Sequence, residues 1–358
     1  ANLSLENAPG TGNASGFQHA ELTVSLASAL ERGGKREARV EVASRRLDAT
    51  AVLQDAKRID LLAEVARRYL DAVIAGAQAR LAAADFAQRE RALEAASRRV
   101  QAGGAPQSVR LAAVAAKQRA ESDLRRAERA QVVAKRRLSL LWGETRGVSF
   151  DVTASDLVRL PVVVAYEDLK QRLAKNPDLA VFAHEARIRE ARLRLAETAR
   201  SRDVAWQLGV RRLQDGADWA LVGNVSMPLG SMQRAEPAIR AAAAELDALS
   251  MEREATRLGL EAALAEAYGR IETAVAEAEQ FDRALLPALR EAESSAEQAY
   301  RRGALTYLEW AQLQSDTIAT EYQRLAASVE AHRALIELQR LTGEPMLRAV
   351  DTAKEQRP

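Results

Sequence analysis

The chain has 358 residues, with 52 Lys and Arg against 50 Asp and Glu, a net charge of +2, no cysteine and 4% aromatic residues. This composition excludes the clustered basic excess and stacking aromatics of a nucleic-acid binder, and it excludes disulfides and thiolate metal sites. No run of about 18 apolar residues marks a transmembrane helix, and no signal peptide opens the sequence.

Residues 1–28 read as a β-hairpin. Leu3 and Leu5 alternate with Asn2, Ser4 and Glu6, a loop rich in Gly, Asn and Ser follows, and Ala20, Leu22, Val24 and Leu26 then alternate with Glu21, Thr23 and Ser25. Period-two alternation is the signature of a strand with unlike faces. Residues 29–142 read as a long helical hairpin. After Gly33-Gly34-Lys35-Arg36 only Gly76, and no Pro, interrupts the run to residue 102. At 1.5 Å per residue this helix is about 100 Å long, and it needs partners along most of its length. Its apolar positions are largely Ala, Leu and Val at helical spacing (Val52, Ala56, Ile59, Leu62, Ala63), which suits close coiled-coil packing. Gly103-Gly104-Ala105-Pro106 turns the chain, and a shorter helix returns to Trp142.

Residues 143–166 break the helical pattern. Val148, Phe150, Val152, Leu157, Leu160 and Val162-Val163-Val164 predict a belt of irregular or short extended structure, with Asp151, Asp156, Glu167 and Asp168 as a solvated acidic patch. A helix over 167–201 leads to the second β-hairpin, 202–229. There Val204, Trp206, Leu208 and Val210 alternate with Ala205, Gln207, Gly209 and Arg211, Gln214-Asp215-Gly216 reverses the chain, and Trp219, Leu221, Gly223, Val225 and Met227 return. A second helical hairpin over 230–342 turns at Arg302-Gly303-Ala304-Leu305, and 343–358 forms a second belt segment.

The chain therefore states one unit twice. Val24-Ser25-Leu26 to Leu141-Trp142-Gly143-Glu144 corresponds to Val225-Ser226-Met227 to Leu341-Thr342-Gly343-Glu344, at an offset of about 200. This is too long for a solenoid repeat. The helix before the second hairpin has no counterpart before the first, so a preceding segment, with any export signal or lipidated cysteine, is expected outside this sequence. The fold class is mainly α with a small β part: long antiparallel helical hairpins in tandem repeat plus two β-hairpins. The alternation fits either a half-buried soluble sheet or a membrane barrel with apolar residues toward lipid. Four strands cannot close a barrel, whereas three chains supply twelve.

The order of hairpin, long helix, Gly turn, shorter helix and belt, given twice, resembles the TolC-type outer-membrane efflux proteins over essentially the whole chain. The blocks carrying it are Glu21-Leu22-Thr23-Val24-Ser25-Leu26 leading to Glu31-Arg32-Gly33-Gly34-Lys35-Arg36, and Val225-Ser226-Met227-Pro228-Leu229-Gly230. To these add Asn176-Pro177-Asp178-Leu179 opening the middle helix, and Tyr300-Arg301-Arg302-Gly303-Ala304-Leu305-Thr306-Tyr307-Leu308. The Gly-Gly-Lys-Arg block points to the heavy-metal branch of CzcC- and CusC-like channels. The resemblance implies a homotrimer with a twelve-stranded barrel in outer-membrane lipid and an α-helical barrel in the periplasm. It further implies a periplasmic adaptor (membrane fusion) protein and an inner-membrane RND transporter as partners, with no cofactor. In that frame Trp206, Leu208, Trp219, Leu221, Leu22 and Val24 face lipid, and Gly103, Gly104, Ala105, Gly303, Ala304 and Leu305 form the adaptor-docking tip. Gly104 and Gly303 match the turn glycines. Glu309 falls where relatives carry an acidic residue at the closed entrance, Arg110 is read as its counterpart in the first copy and as a latch partner, and Gln312 lies one turn further on.

His19, His184 and His332 lack metal-ligand spacing, and a duct must release its cargo easily. No nucleophile–base arrangement, phosphate loop or paired-carboxylate motif suggests an enzyme. The alternatives are a channel of the same build for drug efflux or type I protein secretion, or a soluble coiled-coil periplasmic adaptor. An adaptor would carry one helical hairpin flanked by β-rich domains.

Overall fold

A computed structural model describes residues 1–9, 12, 16–17, 19–144 and 159–343. Most of the first belt, with Val148, Phe150, Val152, Leu157, Asp151 and Asp156, lies outside the described residues, as does 344–358 of the second. The strands are β1 (Asn2–Glu6), β2 (Glu21–Leu30), β3 (Val204–Leu213) and β4 (Trp219–Ser226). The helices are α1 (Lys35–Gln101), α2 (Gln107–Ser139), α3 (Tyr166–Leu173), α4 (Pro177–Thr198), α5 (Ser231–Gln280), α6 (Leu286–Arg302) and α7 (Tyr307–Thr342). The chain divides into two compact units, residues 1–54 with 177–257, and residues 55–176 with 258–358.

The first unit holds a four-stranded antiparallel sheet in the order β1-β2-β3-β4. Both edge strands, β1 and β4, pair on one side only. The Gly33-Gly34-Lys35-Arg36 block forms the corner between strand and helix. Lys35 Nζ donates to Asp203 Oδ2 at 2.7 Å and to Ser201 O at 2.9 Å, which ties the start of α1 to the entry of β3. Helix α4 is joined to the early parts of α1 and α5 by charge: Arg194 to Glu41 at 2.7 Å, and Arg189 to Glu252 at 2.8 Å.

The second unit is helical. Leu169 and Leu173 of α3, Leu264, Ala267 and Ile271 of α5, and Ala331, Leu338 and Leu341 of α7 form one buried cluster. Burying each such Leu or Ile side chain contributes about 1.5–3 kcal/mol. Leu160, Val163 and Val164, within the described part of the belt, pack against it. A second cluster joins Ala63, Leu70, Val73 and Ile74 of α1 to Leu325, Val329 and Ile336 of α7. Helix α2 lies on α1, through Ala113 against Ala92 and Ala96 and through Lys117 with Glu90 at 2.6 Å. The helices therefore follow the order α2, α1, α7, then α5 with α6.

Two predicted helices are interrupted. The helix expected over 167–201 is two, α3 and α4, because Pro177 has no N–H to donate and disfavours α geometry at Asn176. Asn176 is buried there, and its Nδ2 donates to Leu341 O at 2.8 Å, so the break docks on the end of α7. The long helix of the second copy is parted by a π-helical turn, Phe281–Leu285. Pro287 follows within the first turn of α6, and its missing N–H leaves a backbone carbonyl unmatched there, which the wider turn accommodates.

Candidate functional site

The sheet is built inside out for water. Register places Leu3 opposite Val24, Val24 opposite Val210 and Val210 opposite Leu221, and likewise aligns Leu26 with Leu208 and Trp206 with Val225. These side chains share one face, and that face is open: Val24, Leu26, Leu208, Trp219, Val225 and Leu221 are exposed, Leu221 by 82%. The opposite face is polar and satisfied. Arg211 Nη1 donates to Glu21 Oε2 at 2.6 Å and its Nε to Thr23 Oγ1 at 3.0 Å, while Gln207 Nε2 donates to Ser25 Oγ at 2.8 Å. Thr23 and Ser25 are each only 5% exposed beneath them. Gly209 lies opposite Ser25, and a Cβ there would sit 2.6 Å from Ser25 Cβ, so only glycine lets the strands meet. At one end of the apolar face the Arg212 guanidinium lies 5.9 Å from the Trp219 ring centre, an amphipathic pair suited to a membrane–water boundary.

The two helical turns share one design. Gly103 and Gly303 are left-handed, with φ of 71° and 82°. Gly104 N then donates to Arg99 O, and Ala304 N to Ala299 O, both at 2.9 Å. A left-handed residue after the last turn lets the freed carbonyls find donors. Gly303 therefore corresponds to Gly103 and not to Gly104, and the helix caps Pro106 and Thr306 keep the same offset. By that offset Glu309 corresponds to Val109, while Arg110 corresponds to Trp310, which corrects the sequence alignment of Arg110 with Glu309.

Glu309 is exposed and closes a capping box. Thr306 N donates to Glu309 Oε2 at 2.9 Å, Thr306 Oγ1 donates to the same oxygen at 2.6 Å, and Glu309 N donates to Thr306 Oγ1 at 3.3 Å. The Thr306 hydroxyl, then its backbone N–H, hold the carboxyl below its ordinary pKa. Arg110 lies against the Gln107 amide oxygen, at 2.8 Å from Nη2. No Arg110–Glu309 pair forms within the chain among the described residues. Gln312 points outward and donates to Asp316 Oδ1 at 2.8 Å. Gly103, Gly104, Gly303 and Ala304 are exposed at the turns, with Ala105 and Leu305 half-buried.

Three features of the tip escaped sequence reasoning. The first is Arg99, whose Nη1 donates to Tyr300 O at 2.9 Å and Leu305 O at 3.4 Å, and whose Nε donates to Gly104 O at 3.3 Å. Its guanidinium also lies 4.8 Å from the Tyr300 ring centre. One side chain thus holds both turns side by side. The second is an aromatic triad, with Tyr300 stacked on Trp310 at 5.0 Å and Tyr307 edge-on to both. All three are nearly fully buried. Their clustering was the available signal, since three of the chain's few rings fall between positions 300 and 310. The third is a polar interior beyond the triad. Arg89, itself buried, reaches Asp85 Oδ1 at 3.1 Å, Gln314 Oε1 at 3.2 Å and Ser315 Oγ at 3.1 Å. Gln88 donates to Glu293, whose carboxyl burial pushes above its ordinary range. Such a core tolerates few alternative packings, because each misplaced partner leaves a buried polar group unmet.

The three histidines fall on different elements: His19 lies 3.1 Å from Asp215, and His332 Nδ1 donates to Ser328 O at 2.7 Å. Among the described residues no group of three His, Asp or Glu side chains has the geometry to hold a metal ion.

The outer membrane efflux protein family model matches residues 2–144 and 169–344. The cobalt-zinc-cadmium resistance protein CzcC of Cupriavidus metallidurans is 26% identical over 322 residues, covering 90% of this chain and 77% of that protein. The solved structure of CusC superposes with a TM-score of 0.73 at 18% identity, covering 96% of this chain and 82% of that one. The outer membrane protein VceC of Vibrio cholerae superposes with a TM-score of 0.72 at 18% identity, covering 91% and 80%. At these identities the two structural matches speak to the fold.

Proposed function

The chain belongs to the outer membrane efflux protein family, and we propose that it is the passive exit duct of a tripartite pump exporting heavy-metal cations. The observation that carries the channel reading is the inverted sheet, whose apolar face is open while its polar face is closed by Arg211, Gln207, Thr23 and Ser25. A soluble adaptor would have to hide that face, so the adaptor alternative falls. The cargo reading rests on the similarity to the cobalt-zinc-cadmium resistance protein.

Two unpaired edges and four strands support a closed ring of three chains with twelve strands in outer-membrane lipid. The helical unit then lies in the periplasm of a Gram-negative cell, and its exposed turns at Gly103 and Gly303 meet a periplasmic adaptor that couples to an inner-membrane RND transporter. Leu308, exposed beside the second turn, gives that contact an apolar element.

The test is growth of a strain lacking the gene on zinc, cobalt, cadmium, copper and silver salts beside dyes and antibiotics. Sensitivity confined to metals, restored by the gene, is expected. Sensitivity confined to organic compounds would keep the duct and reject the metal cargo.

Three copies of Glu309 would form an acidic ring at the aperture, favouring cations. Glu309→Gln retains an N3 side chain able to complete the capping box, so it separates charge from capping. The expected result is reduced cation selectivity, read as a shifted reversal potential across a salt gradient, with unchanged thermal stability. Glu309→Ala loses the reciprocal cap as well, so its thermal stability should fall where that of Glu309→Gln does not. A reversal potential unmoved by Glu309→Gln would reject the ring.

A further inference from the structure

A cleft of about 500 Å³ opens in the helical unit where α1 lies between α2 and α7. Its floor is small and apolar: Ala75 of α1 is buried at the base, and Val133 of α2 is 48% exposed in the wall. Gly76 lets α2 approach, since the Gln131 amide nitrogen lies 3.2 Å from where a Cβ would stand. The rim is cationic. Arg68 of α1, Arg129 and Arg137 of α2 and Arg333 of α7 line the cleft against one carboxylate, that of Asp71. Two of these arginines are engaged. Arg333 Nη2 donates to Asp71 Oδ1 at 3.1 Å, while Arg68 Nε donates to Glu64 Oε1 at 2.7 Å and its Nη1 to Arg137 O at 3.2 Å. The side chains of Arg129 and Arg137 are exposed and have no hydrogen-bond or ion-pair partner among the described residues.

We propose that this cleft binds an organic oxyanion, a carboxylate or phosphate carried on an apolar body, with its charged end between Arg129 and Arg137 and its body on Val133 and Ala75. The two arginines stand eight residues apart on α2 with Val133 midway, so about 12 Å of helix separates them and their long stems can converge over the floor. A single surface arginine is left to water. Four guanidinium groups gathered from three helices repel one another, and a bound anion relieves that repulsion. Their planar donors match the oxygens of a carboxylate or phosphate. A bare inorganic ion would use the rim alone, whereas the apolar floor rewards a ligand with a body, and a cleft of this size suits a small organic molecule. The site lies within one chain, so it depends neither on the ring assembly nor on the cargo. Because it touches α1, α2 and α7, its occupant fastens three helices at once.

The experiment is calorimetric titration of the full chain in a non-ionic detergent with phenyl phosphate and benzoate, beside inorganic phosphate and benzylamine. Saturable binding of phenyl phosphate and benzoate at one site per chain is expected, with inorganic phosphate about tenfold weaker and benzylamine silent. Arg129→Gln together with Arg137→Gln should weaken phenyl phosphate by about tenfold or more. Val133→Asp, a change at an exposed position that sets a carboxylate on the floor, should abolish binding and gives a second readout should the arginine variant fold poorly. Arg125→Gln, which removes an arginine held by Glu121 outside the cleft, should bind like the unaltered chain. No saturable binding of phenyl phosphate, equal affinity for inorganic phosphate, or an equal loss in Arg125→Gln would each overturn the site.

Discussion

Val210→Arg is expected to abolish assembly into the outer membrane. Val210 stands mid-sheet on the exposed apolar face, between Val24 and Leu221. An Arg on the lipid face of a β-barrel near the bilayer midplane costs about 2–4 kcal/mol, and a trimer bears that cost three times. Asn224→Arg is the matched control, because Asn224 pairs with Gln207 and lies on the polar face, where a new charge faces water. The measurement is the outer-membrane fraction of each variant and its heat-modifiable mobility. Equal insertion of the two variants would show that the exposed face does not meet lipid.

Arg99→Ala is expected to loosen the tip without dissolving the trimer. The side chain makes three hydrogen bonds to backbone carbonyls of both turns and lies over Tyr300. Hydrogen bonds from a charged donor contribute about 1.5–3 kcal/mol each when sheltered, and these are partly exposed, so a loss on the order of 2 kcal/mol is expected. The readout is single-channel conductance in a planar bilayer, which should rise. Arg99→Lys should behave like the alanine variant, since an ammonium cannot span three acceptors in a fixed plane. Wild-type conductance in Arg99→Ala would mean that the aromatic triad alone holds the turns.

Much of the fold was legible because its punctuation is local. Gly103 and Gly303 mark turns through a backbone conformation that favours glycine, and the alternation around Val210 marks a strand whatever covers it. What covers it was not legible, since period two is the same for a soluble sheet and a barrel. The structure adds the register that puts Leu3, Val24, Val210 and Leu221 in one uncovered row. Pro177 carried its own message, yet helical spacing on both sides of it reads as one helix. The π-helical turn at Phe281–Leu285 leaves the periodicity nearly unbroken, and Pro287 just beyond it was its one local sign. At the tip, the alignment of Arg110 with Glu309 failed by one residue. Helix caps and left-handed glycines fix an offset that side-chain charge does not. Arg99 was invisible because its partners are carbonyls, which every residue has.

The two turns share a backbone but not a filling. Pro106 caps one without a side-chain bond and Thr306 caps the other with a capping box, while the stacked rings belong to the second alone. In a ring of six identical hairpins every substitution would appear six times, and any change at the aperture would be made all round at once. With two unlike hairpins in one chain, a ring of three would carry each substitution three times, and a change at the second turn would leave the first untouched.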